Sequence, residues 1–386
     1  MAVTEVTSTS WFGRIGDSIK GILFGIVLII VSLILMVWNE RNAVRDIQAN
    51  NEIGREVITV PNAEVSPGNE GKLVHLNGPA MTDDVVGNMD FGIEETAVRL
   101  SWESEIYQWV EEKDTETKKK LGGGEETVTT YSYRKEWVDG PVNSSGFKEK
   151  GHDNTGKQKF PSGSSQAENV TLGAFMLPSG LISQMDWSER YTLSELPDDF
   201  ATTGSIEDGV FYTGVPSQPK VGDERVTFRI TRPDDVSVMA VQKGDSFDKY
   251  TAKNGKTKFL LYPGLLTAEQ VVEGEEAKAK MLRWILRGVG VFAMFIGFTM
   301  LLKPLSVLAD VIPFVGSLVG AAGAAVSLLL SLGISFVVIA ISWIAFRPMI
   351  GIPLLVVGVG CFVLIVRKLA KGREAAGTPP PPPGMA

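Results

Sequence analysis

The chain has 386 residues, of which 44 % are hydrophobic, and its formal net charge at pH 7 is −8. This acidic balance argues against a nucleic-acid-binding protein, because contacts with phosphates require clustered lysine and arginine side chains. The single cysteine, Cys361, excludes an intramolecular disulfide and any zinc site built on cysteines. The two histidines, His75 and His152, would have to converge to form a two-histidine metal site. We therefore expect no metal and no cofactor.

The first predicted element is a transmembrane helix at residues 21–38, which contain no charged residue. Eighteen residues in a helix extend about 27 Å, close to the hydrocarbon thickness of a bilayer. Residues 1–20 are predicted to form an interfacial segment, because their large apolar side chains share one helical face: Trp11, Phe12, Ile15 and Ile19. The alternative for these residues is a frayed terminus.

A dense polar cluster follows this helix. Trp38 is predicted at the membrane interface, because tryptophan rings prefer the headgroup layer. Arg41 and Arg45 are four positions apart, so they share one helical face and are predicted to meet lipid phosphates at the same interface. Glu40 lies on another face, where it is free to pair with the extramembrane domain or with a neighbouring protomer.

Residues 39–283 are predicted to form a large β-rich α+β domain outside the membrane. Alternation of apolar and polar residues with period two is frequent here, as in TAVRLSWESEIYQWVEE and RVTFRITR. Residues 111–126 are charged at both ends around three consecutive glycines, which predicts the mobile tip of a hairpin. We expect this domain to be luminal or otherwise extracytoplasmic.

The C-terminal region is predicted to contain three more spans and a re-entrant or interfacial helix. The segments are 284–303 (second span), 304–321 (re-entrant or interfacial helix), 322–346 (third span), 349–366 (fourth span) and 367–386 (cytoplasmic proline-rich tail). The second span is predicted to end at Lys303 and Pro304. The fold class is therefore a multi-pass α-helical membrane protein with four spans, one N-terminal and three C-terminal, and a β-rich domain. Five spans are the alternative.

The distribution of basic residues gives only weak evidence for which side of the membrane each segment faces. Seven lie on the side of the termini, Arg14 among them, and seven on the side of the domain, so the overall count decides nothing. The tail after residue 366 contains four basic residues, against Arg347 alone before the last span. This bias favours a cytoplasmic C-terminus.

Two features inside the apolar segments suggest specific roles. Gly316 and Gly320 have the G-x-x-x-G spacing that allows close helix contact, and with Gly323 they are predicted oligomerisation residues. Arg287 and Asp310 are ionisable groups at membrane depth, where charge is energetically costly, so they are a candidate polar membrane site. They would pair with each other or line a polar path. The alternative is that both extend to the interface.

Catalytic motifs are scarce in this sequence. The GHDN stretch places His152 beside Asp153, an arrangement that suits a general base with an orienting carboxylate. The favoured alternative is a turn in which Asp153 and Asn154 cap nearby backbone groups. We therefore expect a protein that is not an enzyme, and a hydrolase centred on His152 is only the third hypothesis.

Seven stretches of the sequence are typical of one protein family: WNERNAVR (38–45), NEGKLVHLNGP (69–79), EIYQWVEE (105–112), YSYRKEW (131–137), GHDN (151–154), VGDERVTF (221–228) and FRPMIGIP (346–353). The likeness extends from about residue 11 to residue 366. In this order the stretches resemble the transmembrane protein 43 (LUMA) family. The resemblance implies four spans, cytoplasmic or nucleoplasmic termini, and a domain in the lumen of the endoplasmic reticulum and nuclear envelope. Animal members look like scaffolds that self-associate and bind emerin and lamins. The family offers no catalytic residues to transfer.

The leading hypothesis is a membrane scaffold that self-associates and contributes to membrane or envelope organisation. Its expected partners are membrane lipids, further copies of the chain and other membrane or envelope proteins, with no nucleic acid. The expected location is the endoplasmic reticulum or inner nuclear membrane in a eukaryote. In a bacterial member it would be the cytoplasmic membrane with the domain outside. The alternative is a lipid- or ion-handling membrane protein that uses the re-entrant segment.

Overall fold

The computed structural model describes residues 3–197, 204–344, 352–353, 356–364 and 367. The chain divides into two compact units. The first, here called the β domain, comprises Met1–Glu5, Gln48–Thr115 and Thr129–Glu275. The second, the helical unit, comprises Val6–Ile47, Glu116–Val128 and Glu276–Ala386.

The α-helices whose bounds lie within the described residues are α1 (Trp11–Glu56), α2 (Ser179–Ile182), α3 (Ala268–Ala309) and α4 (Pro313–Ile344). Three of these, α1, α3 and α4, are long and apolar enough to cross a membrane. The predicted fourth span, 349–366, lies partly outside the described residues, although its described part is helical. The structure thus supports three candidate spans and does not confirm four.

The beginning of the chain differs from the predicted interfacial segment 1–20. Residues Val3–Thr9 form a strand, and α1 starts at Trp11 and continues through residues 21–38 without interruption. The apolar face at Trp11 therefore belongs to the long helix itself.

The boundary predicted at Lys303 and Pro304 also differs. The helix α3 continues through Pro304 to Ala309, and α4 begins at Pro313. The predicted re-entrant segment 304–321 is therefore divided between two helices. Proline removes one main-chain donor, and helices in apolar surroundings tolerate this loss because neighbouring groups compensate for it.

The strands of the described chain are β1 (Val3–Thr9), β2 (Ile58–Thr59), β3 (Leu73–Met81), β4 (Val85–Asn88), β5 (Ile93–Thr96), β6 (Arg99–Lys119), β7 (Glu125–Asp139), β8 (Gly163–Gln166), β9 (Val170–Leu172), β10 (Phe175–Leu177), β11 (Glu189–Tyr191), β12 (Ser205–Glu207), β13 (Val210–Tyr212), β14 (Glu224–Thr231), β15 (Asp235–Lys243), β16 (Ser246–Asp248), β17 (Tyr250–Thr251), β18 (Thr257–Lys258) and β19 (Leu260–Pro263). An eight-stranded sheet has the order β1-β7-β6-β14-β13-β12, with β11 on β14 and β8 on β6. A seven-stranded sheet has the order β10-β9-β3-β15-β16, with β19 on β15 and β2 on β3. The β-rich character predicted from alternation is confirmed.

The main core of the β domain combines side chains of both sheets. Leu76 and Val238 from the seven-stranded sheet are in the same buried cluster as Leu100 and Phe228 from the eight-stranded sheet. Phe91, on a short 3-10 turn between β4 and β5, packs its ring 5.0 Å from that of Phe228. Edge-to-face contacts of this kind add to the stabilisation from burial.

A second hydrophobic cluster in the β domain includes parts of two long helices. Ile53 near the end of α1 and Val271 near the start of α3 are fully buried there, beside Leu73, Met239 and Leu260. Each fully buried aliphatic side chain contributes about 1.5–3 kcal/mol. The last turns of α1 and the first turns of α3 are therefore part of the core of the β domain.

Polar contacts reinforce these helix ends. The Tyr262 hydroxyl donates to Glu275 Oε1 at 2.7 Å, and Lys258 Nζ lies 2.8 Å from Glu275 Oε2. The Tyr250 hydroxyl lies 2.7 Å from carboxylate oxygens of both Glu52 and Glu56. Burial and the adjacent carboxylates raise the pKa of both tyrosines, so each hydroxyl keeps its proton and remains a donor.

In the helical unit, α1 and α3 contact each other through glycine. A Cβ atom on Gly25 would lie 2.8 Å from the Gly297 carbonyl oxygen, and one on Gly297 would lie 2.6 Å from Ile29 Cγ1. Small residues allow helix backbones to approach closely in this way.

This contact predicts different effects for two alanine substitutions on α3. Gly297→Ala should lower the midpoint of thermal unfolding in detergent, because the added methyl meets the backbone of α1. Gly288→Ala is the matched control, since a Cβ at Gly288 has no neighbour within 4 Å. Alanine is favoured over glycine in helices by about 1 kcal/mol, so the control should be neutral or stabilising. Equal midpoints for the two variants would contradict the close contact.

Candidate functional site

The first candidate polar site of the helical unit is a carboxylate buried between three helices. Glu40 on α1 is fully buried and lies 2.6 Å and 2.8 Å from the Nε and NH2 atoms of Arg287 on α3. The indole N–H of Trp343 on α4 donates to the same carboxylate. Paired hydrogen bonds from one guanidinium to one carboxylate are strong and directional. This contact set fixes α1, α3 and α4 at one level.

Aromatic side chains surround the arginines at this level. The Arg287 guanidinium lies 4.8 Å from the centroid of the Trp284 ring, and that of Arg283 lies 5.7 Å from the Trp343 ring. The Asn39 amide also donates to the Arg283 carbonyl at 3.3 Å. Charge near an aromatic face is stabilised most where water is excluded.

A second buried carboxylate lies at the other end of the α1–α3 pair. Asp310, in the turn between α3 and α4, is fully buried. Its Oδ2 atom lies 2.5 Å from Arg14 NH2, and its Oδ1 atom lies 2.7 Å from Lys119 Nζ. Arg14 also contacts Glu125 Oε2 at 2.9 Å. Two cations on one buried carboxylate offset the cost of removing it from water.

The tip of the β6–β7 hairpin is held beside this carboxylate. The amide of Gly122 donates to the Val311 carbonyl at 3.2 Å, and Arg14 NH1 donates to the Gly123 carbonyl at 2.6 Å. Gly123 has a φ of 81°, and a side chain there would collide with the Trp11 ring. The tip predicted to be mobile is therefore bound by specific contacts.

This arrangement also differs from the predicted extent of the extramembrane domain. Residues 39–283 were expected to form one domain opposite the termini, yet residues 116–128 belong to the helical unit. Arg14 and Lys119, which the prediction separates, contact the same carboxylate of Asp310. The hairpin tip and the N-terminal end of α1 therefore meet at the Asp310 carboxylate.

The polar residues selected from the sequence are thus found in two separate sites. Arg287 and Asp310 do not pair with each other, since each has its own partners. Glu40 binds Arg287 of its own chain and is fully buried, so it is not available to a neighbouring protomer. Arg14 and Lys119 were not predicted as the partners of Asp310. The sequence signal available for these two residues was their positive charge, which is opposite to that of Asp310 in its apolar segment.

Two of the three predicted interface residues are exposed on α1. Trp38 is 54 % exposed, and Arg41 is exposed. Arg45 is partly buried. This exposure agrees with a position at a membrane surface, and the role itself stays a prediction.

The predicted oligomerisation glycines face residues of their own chain. A Cβ on Gly316 would lie 1.7 Å from Asp310 Oδ1, so this glycine makes room for the buried carboxylate. A Cβ on Gly320 or Gly323 would lie 3.6 Å from Ser306 Cβ or 3.7 Å from Leu302 Cβ, respectively. Gly320 and Gly323 therefore lie at the contact between α3 and α4, and Gly316 lies beside the turn that contains Asp310.

The candidate hydrolase residues do not form a dyad in the structure. The His152 ring stacks on Tyr133 with centroids 4.0 Å apart, and it meets Trp109 edge-on at 4.5 Å. Asp153 is exposed. Asn154 instead binds the main chain of Trp109 through both amide atoms, which supports a structural turn. Among the described residues, no group of three or more histidine, cysteine or acidic side chains is arranged to hold a metal ion.

Three apolar helices, buried charge pairs between them and a β-rich domain define an integral membrane protein with a large extramembrane part. Comparison with known proteins gives the family. The model of the transmembrane protein 43 family matches residues 106–348. The chain belongs to this family.

Curated relatives match over nearly the whole chain. Transmembrane protein 43 of Mus musculus is 30 % identical over 97 % of this chain and 95 % of its own length. The Homo sapiens protein is 30 % identical over 92 % of this chain and 91 % of its own length, and the Drosophila melanogaster homolog is 30 % identical over 90 % and 94 %. These are animal proteins, so they give no support to a bacterial member. No solved structure matches the chain significantly.

The Glu40–Arg287 pair predicts a strong loss of stability when one partner is removed. Glu40→Gln should cost about 3–5 kcal/mol, because the Arg287 charge stays buried without a carboxylate. The double variant Glu40→Gln with Arg287→Met should cost less than the two single changes together, as measured by unfolding in detergent. Asp17→Asn is the control, since its pair with Lys20 is exposed. Additive losses would contradict the coupling.

The Asp310 contacts predict that two positions are accessible from the same side of the membrane. In a Cys361→Ser background, Ser10→Cys and Leu121→Cys should react with a membrane-impermeant maleimide from the same side of sealed vesicles. Both positions are exposed in the structure. Labelling of Ser10→Cys and Leu121→Cys from different sides would show that the tip is not bound at Asp310 in membranes.

Proposed function

We propose that this protein is a membrane scaffold that self-associates and presents the β domain as an interaction module. The observation that carries the proposal is the burial of Ile53 and Val271 in the β domain. Because these residues belong to two long helices, the β domain cannot separate from the helix ends without unfolding that cluster. Such a construction suits a protein that holds a domain at a membrane, and its role would be membrane or envelope organisation.

The polar groups of the helical unit support a structural role over ion handling. An ion path needs ionisable side chains that can exchange partners. Arg287 and Asp310, which motivated that alternative, are bound within the chain by Glu40 and by Arg14 with Lys119. We propose a non-catalytic role for the same reason, since His152 is packed between aromatic rings and Asp153 does not orient it.

The proposed partners are membrane lipids, further copies of the chain and other membrane or envelope proteins. The proposed location is the endoplasmic reticulum or inner nuclear membrane. The animal origin of the relatives supports a eukaryotic membrane over the bacterial cytoplasmic membrane.

Self-association is tested with two differently tagged full-length chains expressed together. Purification through one tag should recover the other chain in comparable amount after mild solubilisation. As a control, membranes that contain each chain alone are solubilised and then mixed, and these should give little co-purification. Recovery of the first chain alone, together with a monomeric mass in detergent, would overturn the self-association part of the proposal.

A further inference from the structure

A groove opens between α3 and α4 at the end that contains Lys303. Its cavity has a volume of about 340 Å³. Its walls are mainly apolar, and its lining residues include Phe295, Met300, Leu302, Lys303, Ser306 and Gly320. Gly320 has no side chain to occupy the space between the helices. The groove therefore combines an apolar interior with an ammonium group and a hydroxyl.

A second cavity continues the first along the same two helices. It has a volume of about 470 Å³, and it shares Phe295 with the first cavity. Its far end is marked by Trp284 and Arg287. The two cavities together follow α3 from Arg287 to Lys303, a length of about 24 Å of helix. This is most of the hydrocarbon thickness of a bilayer, about 30 Å.

The two ends of these cavities differ in whether the basic side chain there already has an acidic partner. Arg287 is neutralised by two hydrogen bonds to Glu40. Lys303 is exposed, and within the described part of the chain it makes no ion pair. An anionic group is therefore favoured at the Lys303 end and not at the Arg287 end.

Lys303 also lies close to the polar end of the helical unit. Asp310, with its two cations, is seven positions further along the chain, and the Trp11 indole donates to the Val307 carbonyl at 2.8 Å. Indole rings and charged clusters are typical of the headgroup layer. A phosphate at Lys303 would thus be at headgroup depth while an apolar chain extends toward Phe295.

We propose that this groove binds one acyl chain of an anionic phospholipid, whose phosphate contacts Lys303. The volumes of the two cavities, about 340 and 470 Å³, are together too small to hold a helix of the same length, because a helix with its side chains is about 10 Å across. An extended acyl chain suits a long, narrow and apolar volume. This site goes beyond the proposed scaffold role and does not depend on self-association.

The test compares lipids that differ only in headgroup. The full-length chain in neutral detergent is titrated with phosphatidylglycerol or phosphatidylcholine of identical acyl chains, and bound lipid is counted by native mass spectrometry. Wild type should retain phosphatidylglycerol more tightly. Lys303→Gln should weaken phosphatidylglycerol binding about fivefold, because a basic residue near the surface contributes about 1 kcal/mol with anionic lipid. Phosphatidylcholine binding should not change.

Matched variants separate this site from general effects. Lys280→Gln removes an exposed lysine of α3 that does not line the groove, so it should leave phosphatidylglycerol binding unchanged. Gly320→Leu should reduce the binding of both lipids by filling the groove. Gly16→Leu adds the same side chain to α1 where a Cβ has no neighbour within 4 Å, and it should bind as wild type.

Three outcomes would overturn the proposal. One is equal phosphatidylglycerol affinity for wild type and Lys303→Gln, which can be measured even if Gly320→Leu does not fold. Another is an equal loss in Lys280→Gln, which would indicate non-specific attraction. The third is competition by inorganic phosphate at similar concentration, which would show a phosphate site that does not need the acyl chain.

Discussion

The helical unit depends on two buried carboxylates that each find a cation on another element. Glu40 with Arg287 joins α1 to α3, and Arg14 with Asp310 joins α1 to the turn that follows α3, near the opposite end of the length that the two helices share. At 1.5 Å per residue the two contacts are separated by about 39 Å on α1, and Arg287 lies about 33 Å from the last residue of α3. A shift of one helix by a single turn would break both pairs and leave four charges buried. Because each uncompensated ion costs several kcal/mol, the pairs determine the register of the helices.

The small residues of the helices follow from this register. Gly25 and Gly297 face each other between the two ion pairs, where the backbones of α1 and α3 approach closely. Gly316 has a different reason to be small, since its missing side chain leaves room for Asp310. A G-x-x-x-G spacing therefore serves a buried polar site here as well as helix packing. The pattern alone does not distinguish these uses from contact between two chains.

Sequence predicted those features of the fold that local pattern determines. The charge-free run 21–38 indicated the apolar part of α1, and period-two alternation indicated the strands of the β domain. The energetic cost of charge in lipid drew attention to Arg287 and Asp310, and the structure places each of them in a buried charge site. Their partners could not be predicted, because Glu40 and Arg14 are more than two hundred residues distant in the chain. The boundary at Pro304 was misplaced, because tertiary contacts allow a proline inside a packed helix.

Because buried ion pairs hold the helices together, the outer surfaces of the helices can remain apolar. Large apolar side chains of α1, such as Leu23 and Ile34, remain 70 % and 64 % exposed in the single chain. In water such a surface would be unfavourable, whereas in lipid it costs nothing. Polar contacts inside the unit thus hold the helices together, and the apolar surface stays available to lipid or to other membrane proteins. This separation of buried polar contacts from an exposed apolar surface supports a scaffold role. A partner can bind the apolar surface without competing for the contacts that keep the chain folded.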